Sequence, residues 1–279
     1  MERSLPGGTR GILRARAGLE RFQVESIAPT AALAPFVERF WVLRWDLRGR
    51  PPHRQQVLTR PTVHMTFTSY LTSGTTRARI VGVVLDDFVE EIADEGRVVG
   101  VEFRPGGLRP FMDAPVSSLT GRFTTVEEVF GADGPALADR VFAAGGAGEA
   151  VARLSDFLTA RAPGPDPSAE RAAGIVARIA ARPWLVRVDE LAAELGTSTR
   201  SLQRLFHEYV GVSPKWVLRR FRMLEAAARA EAGTVVDWAG LAAELGYADQ
   251  AHFTRDFTVT IGTPPARYAR ETGPGRAGG

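Results

Sequence analysis

The sequence predicts an α+β chain, β-rich in its first half and all-α in its second, on three observations. Short alternating apolar runs separated by Gly, Pro and Asp fill residues from about 23 to 130, the signature of half-buried strands. Helical spacing takes over from residue 136. The hexamer Leu191-Ala192-Ala193-Glu194-Leu195-Gly196 recurs unchanged as Leu241-Ala242-Ala243-Glu244-Leu245-Gly246, so one supersecondary unit is present twice in the helical half.

At 279 residues, 44% hydrophobic and 24% charged, the chain has enough apolar content for one or two packed domains. No window approaches the roughly 18–20 apolar residues of a bilayer span, and the Arg-dotted start lacks the core of a secretory signal. No membrane partner and a cytoplasmic location are therefore expected. Zero cysteines exclude disulfides, thiolate metal sites and cysteine nucleophiles, and the four histidines are far apart in the sequence. No metal and no cofactor is implied. The net charge is +3 and Lys215 is the only lysine; an arginine bias of this kind follows from a G- and C-rich genome as readily as from anion binding.

Residues 1–22 carry Gly7, Gly8 and Gly11 without periodicity and read as a loosely ordered arm. The domain at 23–161 opens with strands, among them residues 40–47, which put Trp41, Leu43, Trp45 and Leu47 on one face. Residues 63–70, 79–85 and 98–103 read as further strands. Its end is helical in two pieces broken at Gly145-Gly146, with a stripe of Val151, Leu154, Phe157 and Leu158 that either packs inside the chain or pairs between two copies. Three prolines within 162–167 mark a stiff linker. Residues 168–270 form the all-α domain of about seven helices, broken at Pro183, Gly196, Gly211, Gly233 and Gly246, and 271–279 form a flexible tail.

In each repeat a short helix ends at Leu-Gly, and a second helix opens after Ser198 or Asp249, both good N-caps. This is a helix-turn-helix pattern. Leu202, Leu205, Phe206 and Tyr209 form the inner face of the first reading helix and leave Arg200, Gln203, Arg204 and His207 outward. Arg can clasp guanine O6 and N7, and Gln can pair with adenine N6 and N7, so such residues in a major groove can specify a half-site. In the second repeat Phe253 and Phe257 face inward, and Gln250, His252, Thr254 and Arg255 are the exposed candidates. Ser213-Pro214 starts a spacer helix of about 18 residues, ~27 Å long, comparable to the ~34 Å between successive major grooves on one DNA face. Lys215, Arg219 and Arg220 on it are the candidate phosphate contacts, with Arg222 beside them.

The run Ala242-x-x-x-Gly246-Tyr247-x-Asp249-x-x-x-Phe253-x-x-x-Phe257, followed by Gly262, Pro265 and Tyr268, resembles the AraC/XylS family of bacterial transcription regulators over residues 168–270. The resemblance implies a seven-helix unit with two helix-turn-helix motifs, binding double-stranded promoter DNA and working with RNA polymerase, most often as an activator. By position it implies Arg200, Gln203, Arg204, Gln250, Ala251, His252, Thr254 and Arg255 as the base-contacting set. Thr258, Ala251 and Ala269 depart from the residues common at those places, which implies a weaker second grip. The segments 36–41 and 100–107 are similar to a sensor-like domain found ahead of this unit in part of the family. That similarity implies a cupin-like β fold with a small-molecule effector or a homodimer contact.

Trp41 and Trp45 either line a ligand pocket or fill the core. His53 and His64 lack the companions of a cupin metal site. Asp86, Asp87, Glu90 and Glu91 read as a solvated cluster near a hairpin, and residues 104–107 as a turn. An enzyme acting on a small molecule in the β-rich domain, with a regulatory helical domain, is the alternative from another class; binding without catalysis is the expectation.

Overall fold

The computed structural model describes residues 11–86, 88–232 and 236–273. Two sheets and a helical layer make up the first half. One sheet has six antiparallel strands in the order β1 (Phe22–Ile27), β2 (Val37–Asp46), β7 (Glu95–Phe103), β4 (His64–Tyr70), β5 (Thr76–Val81) and β8 (Phe123–Thr124). The other is a ribbon of β3 (His53–Val57) and β6 (Phe88–Ile92).

Alternation along the strands divides the two faces of the large sheet. Phe40, Val42, Met65, Phe67, Val99 and Val101 are buried and share one cluster with Leu137 and Val141 of α3 (Asp133–Phe142) and Leu154 of α4 (Ala147–Ala160). The apolar stripe of α4 is spent there, with Phe157 edge-on to Phe130 of α2 (Val126–Phe130) at 5.3 Å, so it offers no surface for pairing two chains. Trp41, Leu43, His64, Thr66 and Val98 lie on the opposite face, toward the ribbon.

The cupin-like expectation is overturned. The large sheet is open, with β1 at one edge and β8 at the other, and no pairing among the described residues closes it into a barrel. Strand alternation records which face is buried but carries no record of which strands pair, and closure is a matter of pairing. The strand expected over 79–85 stops at Val81. At Gly82 a Cβ would lie 1.8 Å from the Leu119 carbonyl oxygen, so only a bare backbone passes, and the chain leaves the sheet.

Of the expected arm, residues 1–10 lie outside the described residues. Residues 11–22 contain α1 (Ala15–Leu19), and Gly11 and Leu13 exchange backbone hydrogen bonds with Leu58 and Gln56. Asp166, in the expected linker, accepts from the Ser168 and Ala169 N–H groups and so caps α5 (Pro167–Ala180). Of the expected tail, residues 274–279 lie outside the described residues.

The second half consists of α5, α6 (Val188–Glu194), α7 (Thr199–Leu205), α8 (Pro214–Glu231), α9 (Trp238–Glu244), α10 (Gln250–Ile261) and α11 (Pro265–Thr272). A π turn over Phe206–Val210 continues α7. Gly233, an expected break, lies outside the described residues. The buried cluster under the large sheet runs on without interruption into Phe206, Leu218, Phe253, Phe257 and Tyr268, so the two halves share one apolar interior. Among the described residues no helix is long and apolar enough to cross a membrane.

Candidate nucleic-acid interface

The two repeats fold alike, bond for bond. In the first, the Thr197 N–H donates to the Ala192 carbonyl at 3.0 Å; in the second, Tyr247 N–H donates to Ala242 at 2.9 Å. Gly196 (φ +60°) and Gly246 (φ +74°) take the left-handed conformation that this turn requires and that a Cβ disfavours. Ser198 Oγ then accepts from the Ser201 N–H at 3.1 Å and starts α7, and Asp249 Oδ1 accepts from the His252 N–H at 2.7 Å and starts α10. Leu202 and Phe206 of the first copy, and Phe253 and Phe257 of the second, are buried.

Burial of those residues turns the remaining faces outward. Arg200, Gln203, Arg204 and His207 are exposed on the first reading helix, and Gln250, Ala251, His252 and Arg255 on the second, with Thr254 half-buried. Arg200, Arg204 and Arg255 have no ion-pair partner among the described residues, in contrast to Arg182, Arg187, Arg229 and Arg267, each held by a carboxylate. Thr258, where a basic residue is common in the family, donates to the Thr254 carbonyl at 2.7 Å and points back along its own helix.

The spacer helix α8 has 18 residues, ~27 Å at ~1.5 Å per residue. Of its candidate phosphate residues Lys215 is exposed. Arg219 is 45% exposed while donating to both carboxylate oxygens of Asp256 at 2.9 and 3.2 Å. Asp256 also accepts from Tyr247 Oη at 3.0 Å, so one carboxylate ties α8, α10 and the second turn together. Burial, with Asp256 adding to it, pushes the Tyr247 phenol far above its ordinary range, so it remains a donor. The Arg222 guanidinium lies over the Tyr247 ring at 4.7 Å.

Arg220 departs from the sequence-based expectation. It is 5% exposed, and Nη2 donates to the Leu85 carbonyl at 2.7 Å and to Val84 at 3.4 Å, in the stretch where the chain leaves β5. A residue so placed faces protein, not phosphate. Helical spacing puts it outward on α8 alone, but this side of α8 packs against the β-rich half.

Three further contacts hold the first reading helix from the β-rich half, and sequence reasoning missed them. Arg109 Nε donates to Glu208 at 2.6 Å, Ser117 Oγ lies 3.0 Å from His207 Nε2, and Thr120 Oγ1 donates to the Gly211 carbonyl at 2.6 Å. Together they grip the C-terminal end of the first reading helix. Near the second, the Arg14 backbone N–H donates to Glu231 at 3.0 Å, Arg14 Nη2 reaches Glu271 at 3.1 Å, and Gln56 Nε2 donates to the Ile261 carbonyl at 3.3 Å. Asp256 was findable, as the only acid in α10; the cross-domain partners carry no local signal.

The tryptophans separate. Trp45 is buried with Phe22, Leu47 and Ile92, its Nε1 donating to the Ala93 carbonyl at 2.9 Å. Trp41 lines a cavity of 220 Å³ between the large sheet and the ribbon, together with His64, Thr66, Arg79 and Glu90. His53 and His64 bond to Gln55 and Thr62, and no group of three metal-ligating side chains occurs among the described residues. Asp87, of the acidic cluster, lies outside the described residues, while Glu90 is half-buried and paired to Arg77 and Arg79.

A family model described as a helix-turn-helix domain matches residues 191–271, and one described as a domain of unknown function, DUF6597, matches 25–125. The probable transcription factor PqrA of Proteus vulgaris is 33% identical over 90 residues, which are 32% of this chain and 70% of that protein. Among solved structures, an AraC-type transcriptional regulator from Chromobacterium violaceum is 23% identical, covering 36% of this chain and 91% of that one at a TM-score of 0.32. ToxT from Vibrio cholerae is 11% identical, covering 90% of this chain and 99% of that one at a TM-score of 0.41. With its paired helix-turn-helix units, the helix-turn-helix family model over the second half and the PqrA relative, the chain belongs to the AraC/XylS family of transcription regulators and binds DNA sequence-specifically.

Proposed function

We propose that the protein activates transcription from an asymmetric promoter site about two helical turns long, placing α7 and α10 in successive major-groove segments. The observation that carries this reading is the outward state of Arg200 and Arg204 on one helix and Arg255 on the other, without ion-pair partners among the described residues, on helices that precede and follow one continuous spacer. Gln203 and Gln250 add bidentate partners for adenine, and His207, Ala251, His252 and Thr254 complete the reading faces. Lys215 and the exposed edge of Arg219 meet phosphates, supplying affinity and salt dependence. Once bound, the protein recruits RNA polymerase.

The β-rich half senses a small molecule. Support comes from the cavity beside Trp41 and from its connection to the helical half. On β3, Gln55 and Val57 line the cavity while Gln56, between them, bonds to Ile261 at the end of α10. Thr59, also a lining residue, donates to the Val84 carbonyl that Arg220 of α8 shares. A change in the cavity wall therefore reaches both the spacer and the second reading helix.

Nuclease protection of the DNA upstream of the protein's own coding region, using the full chain at moderate salt, tests the promoter reading. A protected stretch of about 20 base pairs, lost in the double variant Arg204→Ala/Arg255→Ala, is expected. Equal protection by that variant would overturn it.

A further inference from the structure

The floor of the cavity is a row of cross-strand neighbours on the large sheet. Trp41 on β2 pairs with Gly100 on β7, Gly100 with Thr66 on β4, and Thr66 with Arg79 on β5. His64 stands one row away, edge-on to the Trp41 indole at 6.2 Å. Gly100 keeps this floor low, because a Cβ there would lie 2.2 Å from the indole. Around it the walls are apolar: Phe22, Val24, Leu43, Val57, Phe88 and Ile92.

Within that apolar setting four polar atoms have no hydrogen-bond partner among the described residues: Trp41 Nε1, His64 Nδ1, Thr66 Oγ1 and Arg79 Nε. Two of them, the indole and guanidinium N–H groups, can only donate. Shielded donors of this kind are costly unless something accepts from them. Their clustering on one wall is a built feature, since the sheet register places three of the four in a single row.

Charge on the same wall is unbalanced. Glu90 is shared by Arg77 and Arg79, and Glu102, beneath His64, is shared by Arg39 and Arg60. Among the described residues the charged side chains that line the cavity are Arg39, Arg79 and Glu90, and Glu90 is shared with Arg77, so the lining carries an excess of positive charge. Burial holds His64 below its ordinary pKa, with Arg39 and Arg60 adding to that and Glu102 opposing it, so the imidazole is neutral at pH 7 and can act as a hydrogen-bond partner without cancelling an anion. At 220 Å³ the space is below the roughly 300–1,000 Å³ of drug-sized ligand sites.

We propose that this cavity takes a compact, mostly apolar small molecule bearing one carboxylate, whose oxygens accept from Trp41, Thr66 and Arg79 while its body lies against Leu43, Val57 and Phe88. The assignment rests on the sensing role proposed above and gives that role a ligand class. The carboxylate supplies the acceptors that the row lacks and the negative charge that its arginines leave uncompensated. A neutral isostere supplies acceptors but not the charge, and an amine adds charge of the wrong sign.

The test is calorimetric titration of the full chain with phenylacetate, indole-3-acetate and octanoate, each beside its primary amide. At least one acid is expected to bind with a Kd below about 1 mM and at least tenfold more tightly than its amide. Arg79→Gln, which removes the charge, is expected to weaken the acid several-fold and to leave the amide nearly unchanged; Trp41→Phe, which keeps a benzene ring but removes the N–H together with the pyrrole part of the indole, is expected to weaken the acid several-fold. Acid and amide binding alike, no acid binding at about 1 mM, or acid affinity indifferent to both variants would overturn the ligand class. Repeating the DNA titration with and without the bound acid separates the two claims: an acid that binds as expected but leaves DNA affinity unchanged upholds the ligand class and sinks the sensing role.

Discussion

Glu208, on the π turn that ends the first reading helix, accepts a 2.6 Å hydrogen bond from Nε of Arg109, which precedes it by 99 residues. The second reading helix has its counterpart inside the helical half, where Asp256 is held by Arg219 and Tyr247. The first reading helix is therefore tied by an ion pair to the β-rich half, whereas the second is tied by an ion pair to its own spacer and meets the β-rich half through the Gln56 amide. Removing the first contact with Arg109→Ala is expected to cost about 1 kcal/mol of stability or less, because both side chains are partly exposed. Hydrogen exchange around 206–212 rises in the variant while 250–261 stays protected; equal loosening of both helices would contradict the asymmetry.

Arg204→Ala tests base reading. The variant is expected to lose about 1–3 kcal/mol of binding and to relax preference at one base position of the site. Lys215→Ala, in contrast, should weaken binding to all sequences alike and lower the salt slope by about one. Titrations against the preferred site and single-base variants of it, at several salt concentrations, separate the two; a uniform loss for Arg204→Ala would remove it from the base-reading set.

The two turn glycines carry unequal constraints. At Gly196 an added Cβ meets open space, so Gly196→Ala is charged only for the left-handed backbone, about 1–2 kcal/mol. At Gly246 the same Cβ would lie 2.4 Å from Val186 Cγ1. Denaturant unfolding should therefore show Gly246→Ala to be the more damaging by about 1 kcal/mol or more. Equal losses would mean that the second turn is not packed against 184–186 in solution.

Legibility of the sequence followed the range of the interactions. The repeat, the caps at Ser198 and Asp249 and the inward Phe253 and Phe257 are set by residues within one or two turns of each other, and the pattern displays them. Strand pairing is set across tens of residues, which is why alternation put Trp41, Leu43 and Trp45 on one face yet held nothing against the cupin-like fold that the resemblance of 36–41 and 100–107 implied and that the open sheet overturns. Arg220 shows the same limit at a single position. Its helix phase is readable, but its partners, the carbonyls of Val84 and Leu85, lie 136 and 135 residues away.

Acid should destabilise the β-rich half in two stages. Burial alone would raise the Glu102 carboxyl, but the charges of His64, Arg60 and Arg39 outweigh it and bring the pKa down to about 2. Because the folded value lies below the unfolded ~4.3, Glu102 contributes about 3 kcal/mol that is present above that value and is lost as the pH falls from about 5 toward 2. His64, also lowered, is neutral in the folded state, so its contribution is present above the unfolded ~6.5 and declines as the pH drops below it. His64→Gln should flatten stability between pH 7 and 5 and, by removing one of the charges that lower Glu102, also make the lower limb shallower. Unfolding curves over that range with identical slopes for both proteins would refute the assignment.

Selection of bound sequences from random duplexes by the full chain measures the central claim most directly. Two unlike blocks of preferred bases, their centres about 10 base pairs apart on one face of the duplex, are the predicted result, with the block assigned to α7 erased by Arg204→Ala and the other by Arg255→Ala. A single block, or enrichment that both variants reproduce unchanged, would contradict a protein that reads DNA with two helices fixed on one spacer.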